Sequence, residues 1–144
     1  MKLEKLLNEY GESHQHPTNI FIHKICVPAI TFSVIGLVMS LGWEIFGLDL
    51  AYWVGLAVGG YWFSLSWKYF LLMLPALGIA YLTCHYLELF GVLFDVAFLS
   101  FVISWIFQFY GHKIEGKKPS FLKDLQFLLI GPLWTLKTIL QLKD

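Results

Sequence analysis

The sequence contains no arginine, few charges and only two cysteines, and each shortage argues against a class of protein. All ten basic residues are lysines, ten acidic residues balance them, and the net charge at pH 7 is zero. Such a chain has no basic field with which to bind nucleic acid. Cys26 and Cys84 both lie in apolar stretches. We therefore expect two free, buried thiols rather than a disulfide or a cysteine metal site.

Hydrophobic residues are abundant and lie in long runs. They make up 58% of the 144 residues, whereas soluble domains are typically about 45–50% apolar. Each run is close to the roughly 20 residues that cross the hydrocarbon of a bilayer. We place the spans at about 25–46, 49–66, 68–88 and 91–110.

These runs predict an all-α fold, a polytopic membrane helical bundle with about four spans and a further C-terminal helix. The whole chain, 1–144, is expected to form a single integral-membrane domain. The second run contains Gly55, Gly59 and Gly60. Small residues of this kind let a helix pack closely against a neighbouring helix, which is an alternative to a full span.

The N-terminal region of 24 residues is polar. No short apolar stretch with a small-residue cleavage site follows it, so we expect no cleavable signal peptide. A short helix is predicted around KLEKLLNEYG, because Leu3, Leu6 and Leu7 share one helical face. Gly11 is suited to end it.

The C-terminal helix is expected at about 121–142. Its apolar core, Phe127–Leu136, is short and is interrupted by Gly131 and Pro132. It could be a fifth membrane helix, but an interfacial or re-entrant helix is favoured, because a full crossing would carry Lys143 to the acidic side of the membrane.

Charged residues divide between the two ends of the predicted spans. The lysines expected on one side are Lys2, Lys5, Lys24, Lys68, Lys113, Lys117, Lys118 and Lys123, and the acidic residues expected on the other are Glu44, Asp49, Glu88 and Asp95. Lysine marks the cytoplasmic side of a membrane protein. The N-terminus is therefore expected to be cytoplasmic, in a bacterial inner membrane or the endoplasmic reticulum.

An even number of spans returns the chain to the membrane face on which it started. This places His14, His16, His23 and His112 on one face, with Glu115 beside them. Neutral imidazole suits iron, zinc, copper and nickel, and a mixed set of histidines and carboxylate suits non-haem Fe(II) and dioxygen chemistry. Histidine content alone does not choose among these metals.

The first three histidines lie close together in the chain but need a turn to meet. The HPTN stretch supplies one, and Asn19 is suited to cap a helix beginning near Ile20. His16 is as well explained by a hydrogen-bonding surface histidine as by a metal ligand. Glu115 is explained equally well as a solvated carboxylate or as a group at a metal site.

His85 lies inside the third span and towards the acidic face, away from the other histidines. An ionisable residue within the membrane is a functional candidate by default, and Glu88 is its partner one turn later. This pair supports a rival function, a transport or scaffold protein without catalysis.

Two polar segments resemble the signatures of a known family of small membrane proteins. YGESHQHPTNIFIHKICVP resembles its Tyr-x3-His, Asn-x3-His and Pro pattern, and WIFQFYGHKIEGKKPS resembles its Trp-x2-Gln-Phe-x-Gly-His, Glu and Pro pattern. LLIGPLW resembles a third motif near the C-terminus. The family is associated with 2-hydroxy-fatty-acid dioxygenase activity, and the resemblance runs nearly end to end. Where the family pattern has Pro-Ala, this chain has Pro119 and Ser120.

The resemblance implies an integral-membrane, Fe(II)-dependent dioxygenase that shortens 2-hydroxy fatty acids by one carbon. This α-oxidation would serve sphingolipid breakdown, with dioxygen and a membrane-embedded fatty acid as substrates. His14, His23 and His112 match the family histidines and are the implied iron ligands and catalytic residues.

The resemblance also implies polar positions around the metal. These are Tyr10, Asn19, Gln108 and Glu115. The basic face, including Lys113, would attract the substrate carboxylate. A fourth ligand among His16, Glu115 and His85 stays open. A second rival is another metal-dependent lipid enzyme, such as a zinc hydrolase.

Overall fold

The protein is helical, with one short hairpin. A computed structural model describes residues 2–142, so Lys143 lies outside the described residues. The described chain is 79% helical, and the all-α prediction is confirmed. Its elements are α1 (Lys2–Gly11), α2 (Pro17–Met39), β1 (Glu44–Ile45), β2 (Leu48–Asp49), α3 (Leu50–Leu65), α4 (Trp67–Leu89), α5 (Leu93–Glu115), a 3₁₀ turn (Ser120–Leu122) and α6 (Phe127–Leu140).

Three helices, α2, α4 and α5, are long and apolar enough to cross a membrane, each with 23 residues. Helix α3 has 16 residues and α6 has 14, which correspond to about 24 Å and 21 Å. Both are shorter than the roughly 30 Å of hydrocarbon in a bilayer. Helix α2, Pro17–Met39, begins earlier and ends earlier than the predicted span 25–46. Residues after Ser40 turn instead into the β1–β2 hairpin, which pairs Glu44 with Asp49.

The chain divides into two compact units. The first comprises the described residues of Met1–Ala29 and Ile103–Asp144. In it, α1 packs against α6, and the apolar face predicted for α1 is buried. Helix α6 continues through Gly131 and Pro132. Gly131 permits this packing, because a Cβ there would lie 2.9 Å from the Tyr10 hydroxyl.

The second unit comprises Ile30–Val102. Ser66 alone separates α3 from α4: its N–H donates to Trp62 at the end of α3, and its hydroxyl accepts from Tyr69 at the start of α4. Gly55 and Gly59 face Tyr81 and Phe70 of α4, so these two predicted small-residue contacts are present. The order of the contacts makes α3 and α4 an antiparallel hairpin. The core of this unit contains Met39, Ala51, Cys84 and Leu93.

Both cysteines are free and buried, Cys26 in the first unit and Cys84 in the second, as expected from the sequence. The prediction of a single integral-membrane domain over residues 1–144 stays a prediction.

Candidate metal centre

Three histidines from three segments of the first unit meet in its interior. His14 lies in the loop between α1 and α2, His23 in the second turn of α2, and His112 in the last turn of α5. Their ring centroids are 4.1 Å apart for His14 and His23, 4.9 Å for His14 and His112, and 5.0 Å for His23 and His112. Each histidine offers one nitrogen that lies within 4.8 Å of the other two. All three side chains are buried, with 2%, 1% and 6% of their surface exposed.

Backbone carbonyls fix the rings of His14 and His23 in the same way. Nδ1 of His14 lies 2.6 Å from the carbonyl oxygen of Tyr10, and Nδ1 of His23 lies 2.9 Å from that of Asn19. Because a carbonyl oxygen only accepts, Nδ1 carries the hydrogen in both rings and donates it. Nε2 is then left with its lone pair, which is the arrangement of a metal-binding histidine.

Two buried nitrogens at this centre have no hydrogen-bond partner among the described residues, Nε2 of His14 and Nδ1 of His112. A buried nitrogen without a partner is costly unless another group binds it. Burial also lowers the pKa of His14 to about 4, so this ring stays neutral at physiological pH, as a metal ligand must. The residues present therefore fit a divalent metal ion.

Aromatic side chains form one wall of the centre. The Tyr10 ring stacks on His14, with centroids 4.2 Å apart and planes inclined by 10°. Trp134 of α6 lies 5.0 Å from the His14 ring and 5.4 Å from Tyr10. Burial raises the pKa of the Tyr10 phenol, so Tyr10 is a neutral packing group. Together these rings keep water away from His14.

Glu115 holds the loop that carries His14. Its two carboxylate oxygens accept hydrogen bonds from the backbone N–H groups of Gln15 and His16, at 2.9 Å and 2.8 Å, and from the side chain of Asn19 at 3.1 Å. Lys117 adds a 2.7 Å bond to the Glu12 carbonyl. The structure therefore places Glu115 as an anchor of this loop, outside the group of three histidines.

The predicted capping role of Asn19 is wrong. Helix α2 begins at Pro17, so Asn19 lies within its first turn. The cap is His16, whose Nδ1 accepts from the Thr18 N–H at 3.2 Å, and Pro17 occupies the first helical position, which suits its missing N–H. Asn19 is fully buried, and its amide donates to the Ser13 carbonyl and to Glu115.

The other predicted residues lie outside the cluster. His16 is exposed and serves as the helix cap, and Lys113 is exposed on the last turn of α5. Gln108 is buried one turn before His112 on α5. His85 belongs to the second unit, where its exposed ring pairs with Glu88 at 3.4 Å.

A comparison of the chain with models of known protein families identifies the family to which it belongs. A family model described as 2-hydroxy-palmitic acid dioxygenase Mpo1-like matches residues 1–142. The chain belongs to the Mpo1-like family. The resemblance found from the sequence motifs is therefore confirmed. No curated protein and no solved structure matches the chain.

In this Mpo1-like protein, several residues at the centre were missed by sequence reasoning. Ser13 and Ser120 form a buried pair beside His14, and a Cβ on Gly111 would overlap the Asn19 side chain. Trp134 lies within the LLIGPLW motif and Gly111 directly precedes His112, so both had a signal. Ser120 was visible only as a departure from the family's Pro-Ala pattern, and its pairing with Ser13 had no signal, because two serines 107 residues apart show no pattern.

Proposed function

We propose that this protein is an Fe(II)-dependent membrane dioxygenase that acts on 2-hydroxy fatty acids and shortens them by one carbon. The observation that carries the proposal is the buried triad of His14, His23 and His112, in a chain that belongs to a family named for 2-hydroxy-palmitic acid dioxygenase. The three long apolar helices support a substrate drawn from the bilayer. Breakdown of hydroxylated sphingolipid products is the physiological role that we propose.

Different residues of the chain would have different roles at this centre. His14, His23 and His112 would hold the metal, and the carbonyls of Tyr10 and Asn19 keep two of these rings oriented. Iron(II), when bound, supplies Lewis-acid and dioxygen-activating chemistry that side chains lack. A metal held by these three histidines would have further positions for the hydroxyl and carboxylate oxygens of a 2-hydroxy acid.

We further propose that the centre faces the cytoplasm, in a bacterial inner membrane or the endoplasmic reticulum. Lysines cluster in the chain just after His112, and Lys113, Lys117 and Lys118 are all exposed. Lysine-rich ends of membrane proteins face the cytoplasm. The same charges would attract a fatty-acid carboxylate at the level of the lipid headgroups.

Oxygen consumption by the purified protein tests this function. The protein is loaded with Fe(II), supplied with 2-hydroxy palmitate, and the products are identified by mass spectrometry. We expect oxygen uptake with a product one carbon shorter, at least a hundredfold less with His14→Ala, and a normal rate with His85→Ala, a matched histidine outside the cluster. Oxygen uptake that is absent, or that depends on His85 rather than His14, contradicts the proposal.

The donor set favours one second candidate, a zinc-dependent lipid hydrolase. Three histidines without a carboxylate are also a catalytic zinc set, and Glu115 is engaged with the loop rather than grouped with the histidines. Metal analysis of the purified protein separates the two candidates. Bound zinc together with lipid hydrolysis in the absence of oxygen would favour the hydrolase.

A further inference from the structure

The hydroxyl groups of Ser13 and Ser120 meet beside His14. They lie 2.6 Å apart, and both side chains are buried. Ser13 Oγ also lies 3.2 Å from Nδ1 of His14 and 3.3 Å from the Tyr10 carbonyl oxygen. That same carbonyl accepts the hydrogen of His14 Nδ1 at 2.6 Å.

One assignment of hydrogens satisfies three of these four contacts, and it leaves Ser13 Oγ and Nδ1 of His14 as neighbours that share the Tyr10 carbonyl as acceptor. The Tyr10 carbonyl can only accept, and it takes the hydrogen of His14 Nδ1. The single hydrogen of Ser13 then goes to the Tyr10 carbonyl as well, and Ser13 Oγ accepts from Ser120. The result is a directed chain from Ser120 through Ser13 to the carbonyl that orients His14. Linked hydrogen bonds of this kind reinforce one another.

The position of Ser120 is fixed independently of the histidines. It begins the 3₁₀ turn directly after Pro119, and its carbonyl accepts from the Lys123 N–H at 3.0 Å. The next residue, Phe121, contacts Trp105 of α5 edge-on, with ring centroids 5.2 Å apart. The turn is therefore docked on α5, and Ser120 is held against the loop that carries His14.

We propose that Ser120 is a positioning residue for the metal centre. Its hydroxyl holds Ser13 and the Tyr10 carbonyl in place, and these keep the His14 ring turned so that Nε2 faces the other histidines. Partners of metal-binding histidines typically change metal affinity by about 10–100-fold when they are removed. This inference rests on the proposed metal site.

Cobalt binding to the purified full-length protein tests the inference without any turnover. Co²⁺ is titrated into the wild type, Ser120→Ala, Ser13→Ala and the double variant, and its visible absorption is followed. We expect each single substitution to weaken Co²⁺ binding by about tenfold. The double variant should be weaker than either single variant by less than twofold, because both substitutions cut the same chain. Effects of the two substitutions that simply add would overturn the inference, because Ser120 would then act on the site by a route that does not pass through Ser13.

Two further variants make the outcomes distinct. Ser64→Ala is the matched control, since Ser64 is exposed and its hydroxyl donates to the Tyr61 carbonyl of its own helix. It should bind Co²⁺ as the wild type does. Weak binding by His14→Ala together with unchanged binding by Ser120→Ala and Ser13→Ala overturns the role of Ser120 and leaves the metal site standing. A wild type that binds no Co²⁺ overturns both. If Ser120→Ala does not fold, Ser120→Cys, which replaces the hydroxyl by a weak donor, takes its place, and unchanged Co²⁺ binding by that variant overturns the role of Ser120.

Discussion

Gly111 lies beside His112 and faces the fully buried Asn19. A Cβ at Gly111 would overlap Oδ1 of Asn19, and Asn19 is held by the Ser13 carbonyl and Glu115. Gly111→Ala should therefore displace Asn19, whose carbonyl orients His23, and destabilise the protein by about 1–3 kcal/mol. Thermal unfolding and Co²⁺ titration measure both effects, and both values should fall.

Gly78→Ala is the control for Gly111→Ala. Gly78 also lies within a long apolar helix, but a Cβ there meets no atom within 4 Å. Alanine is the better helix former by up to about 1 kcal/mol, so this variant should be at least as stable as the wild type. If Gly111→Ala matches Gly78→Ala in thermal stability and Co²⁺ affinity, Asn19 moves aside without consequence and the prediction is wrong.

Glu115 is expected to act as a loop anchor. In Glu115→Gln one acceptor oxygen becomes an NH₂ group facing a backbone N–H of Gln15 or His16, which loosens the loop by about 1–2 kcal/mol for this half-buried group. Co²⁺ affinity should fall, while the absorption spectrum at saturation stays unchanged because the ligands are the same. A changed spectrum would identify Glu115 as a ligand. Glu9→Gln, an exposed glutamate of α1, is the control and should leave both properties unaltered.

The residues at the metal centre differ in how far the sequence alone could predict them. The histidines could be named, because an even number of predicted spans placed them on one membrane face and the family resemblance selected His14, His23 and His112. His16 could not be separated from them, since its role as a cap depends on where α2 begins. The pairing of Ser13 with Ser120 could not be predicted, because it depends on the docking of the 3₁₀ turn.

At the scale of elements, helix α3 depends on glycine for its contact with α4. Gly55 faces Tyr81, whose hydroxyl donates to the Ala51 carbonyl. Gly55→Ala would overlap that hydroxyl and break its hydrogen bond, so we expect a loss of about 1–3 kcal/mol. Unfolding of the purified protein by sodium dodecyl sulfate, followed by circular dichroism, measures it. Gly60→Ala, on the same helix but in open space, should be neutral, and an equal loss in both variants would contradict this explanation.

The elements were predictable where periodicity or length marked them. Helix α1 was found at its observed bounds, because its leucines recur at helical spacing. Helix α2 was expected to begin near Ile20 and begins at Pro17, whereas the predicted span began only at residue 25, since hydropathy does not register a polar first turn. Asn19 and His23 in that region face the protein interior. The end of α2 was missed because a hairpin with Trp43, Ile45 and Phe46 is as apolar as a helix.

At the scale of the whole molecule, contacts within the first unit constrain the path of the chain through the membrane. Lys117 donates to the Glu12 carbonyl at 2.7 Å, so residues 12 and 117 lie on the same side. The chain between them must cross an even number of times. Helices α2, α4 and α5 are long and apolar enough for three crossings, and α3 is the remaining helix in this interval. A helix of about 24 Å spans when the bilayer thins locally around it, so parity favours α3 as a fourth span.

Labelling of cysteines introduced one at a time tests this topology. Lys118→Cys, Lys68→Cys and Glu44→Cys each introduce a thiol at an exposed position, and the unsubstituted protein is the background because Cys26 and Cys84 are buried. A membrane-impermeant maleimide should label Lys118→Cys and Lys68→Cys from the cytoplasmic side and Glu44→Cys from the opposite side. Lys68→Cys reacting from the same side as Glu44→Cys would mean that α3 does not cross. If each of the three cysteines is labelled from the side opposite to the one expected, the cytoplasmic orientation is overturned and the four spans are preserved. The number of spans rests on the Lys117 contact, whereas the orientation rests on the distribution of lysines.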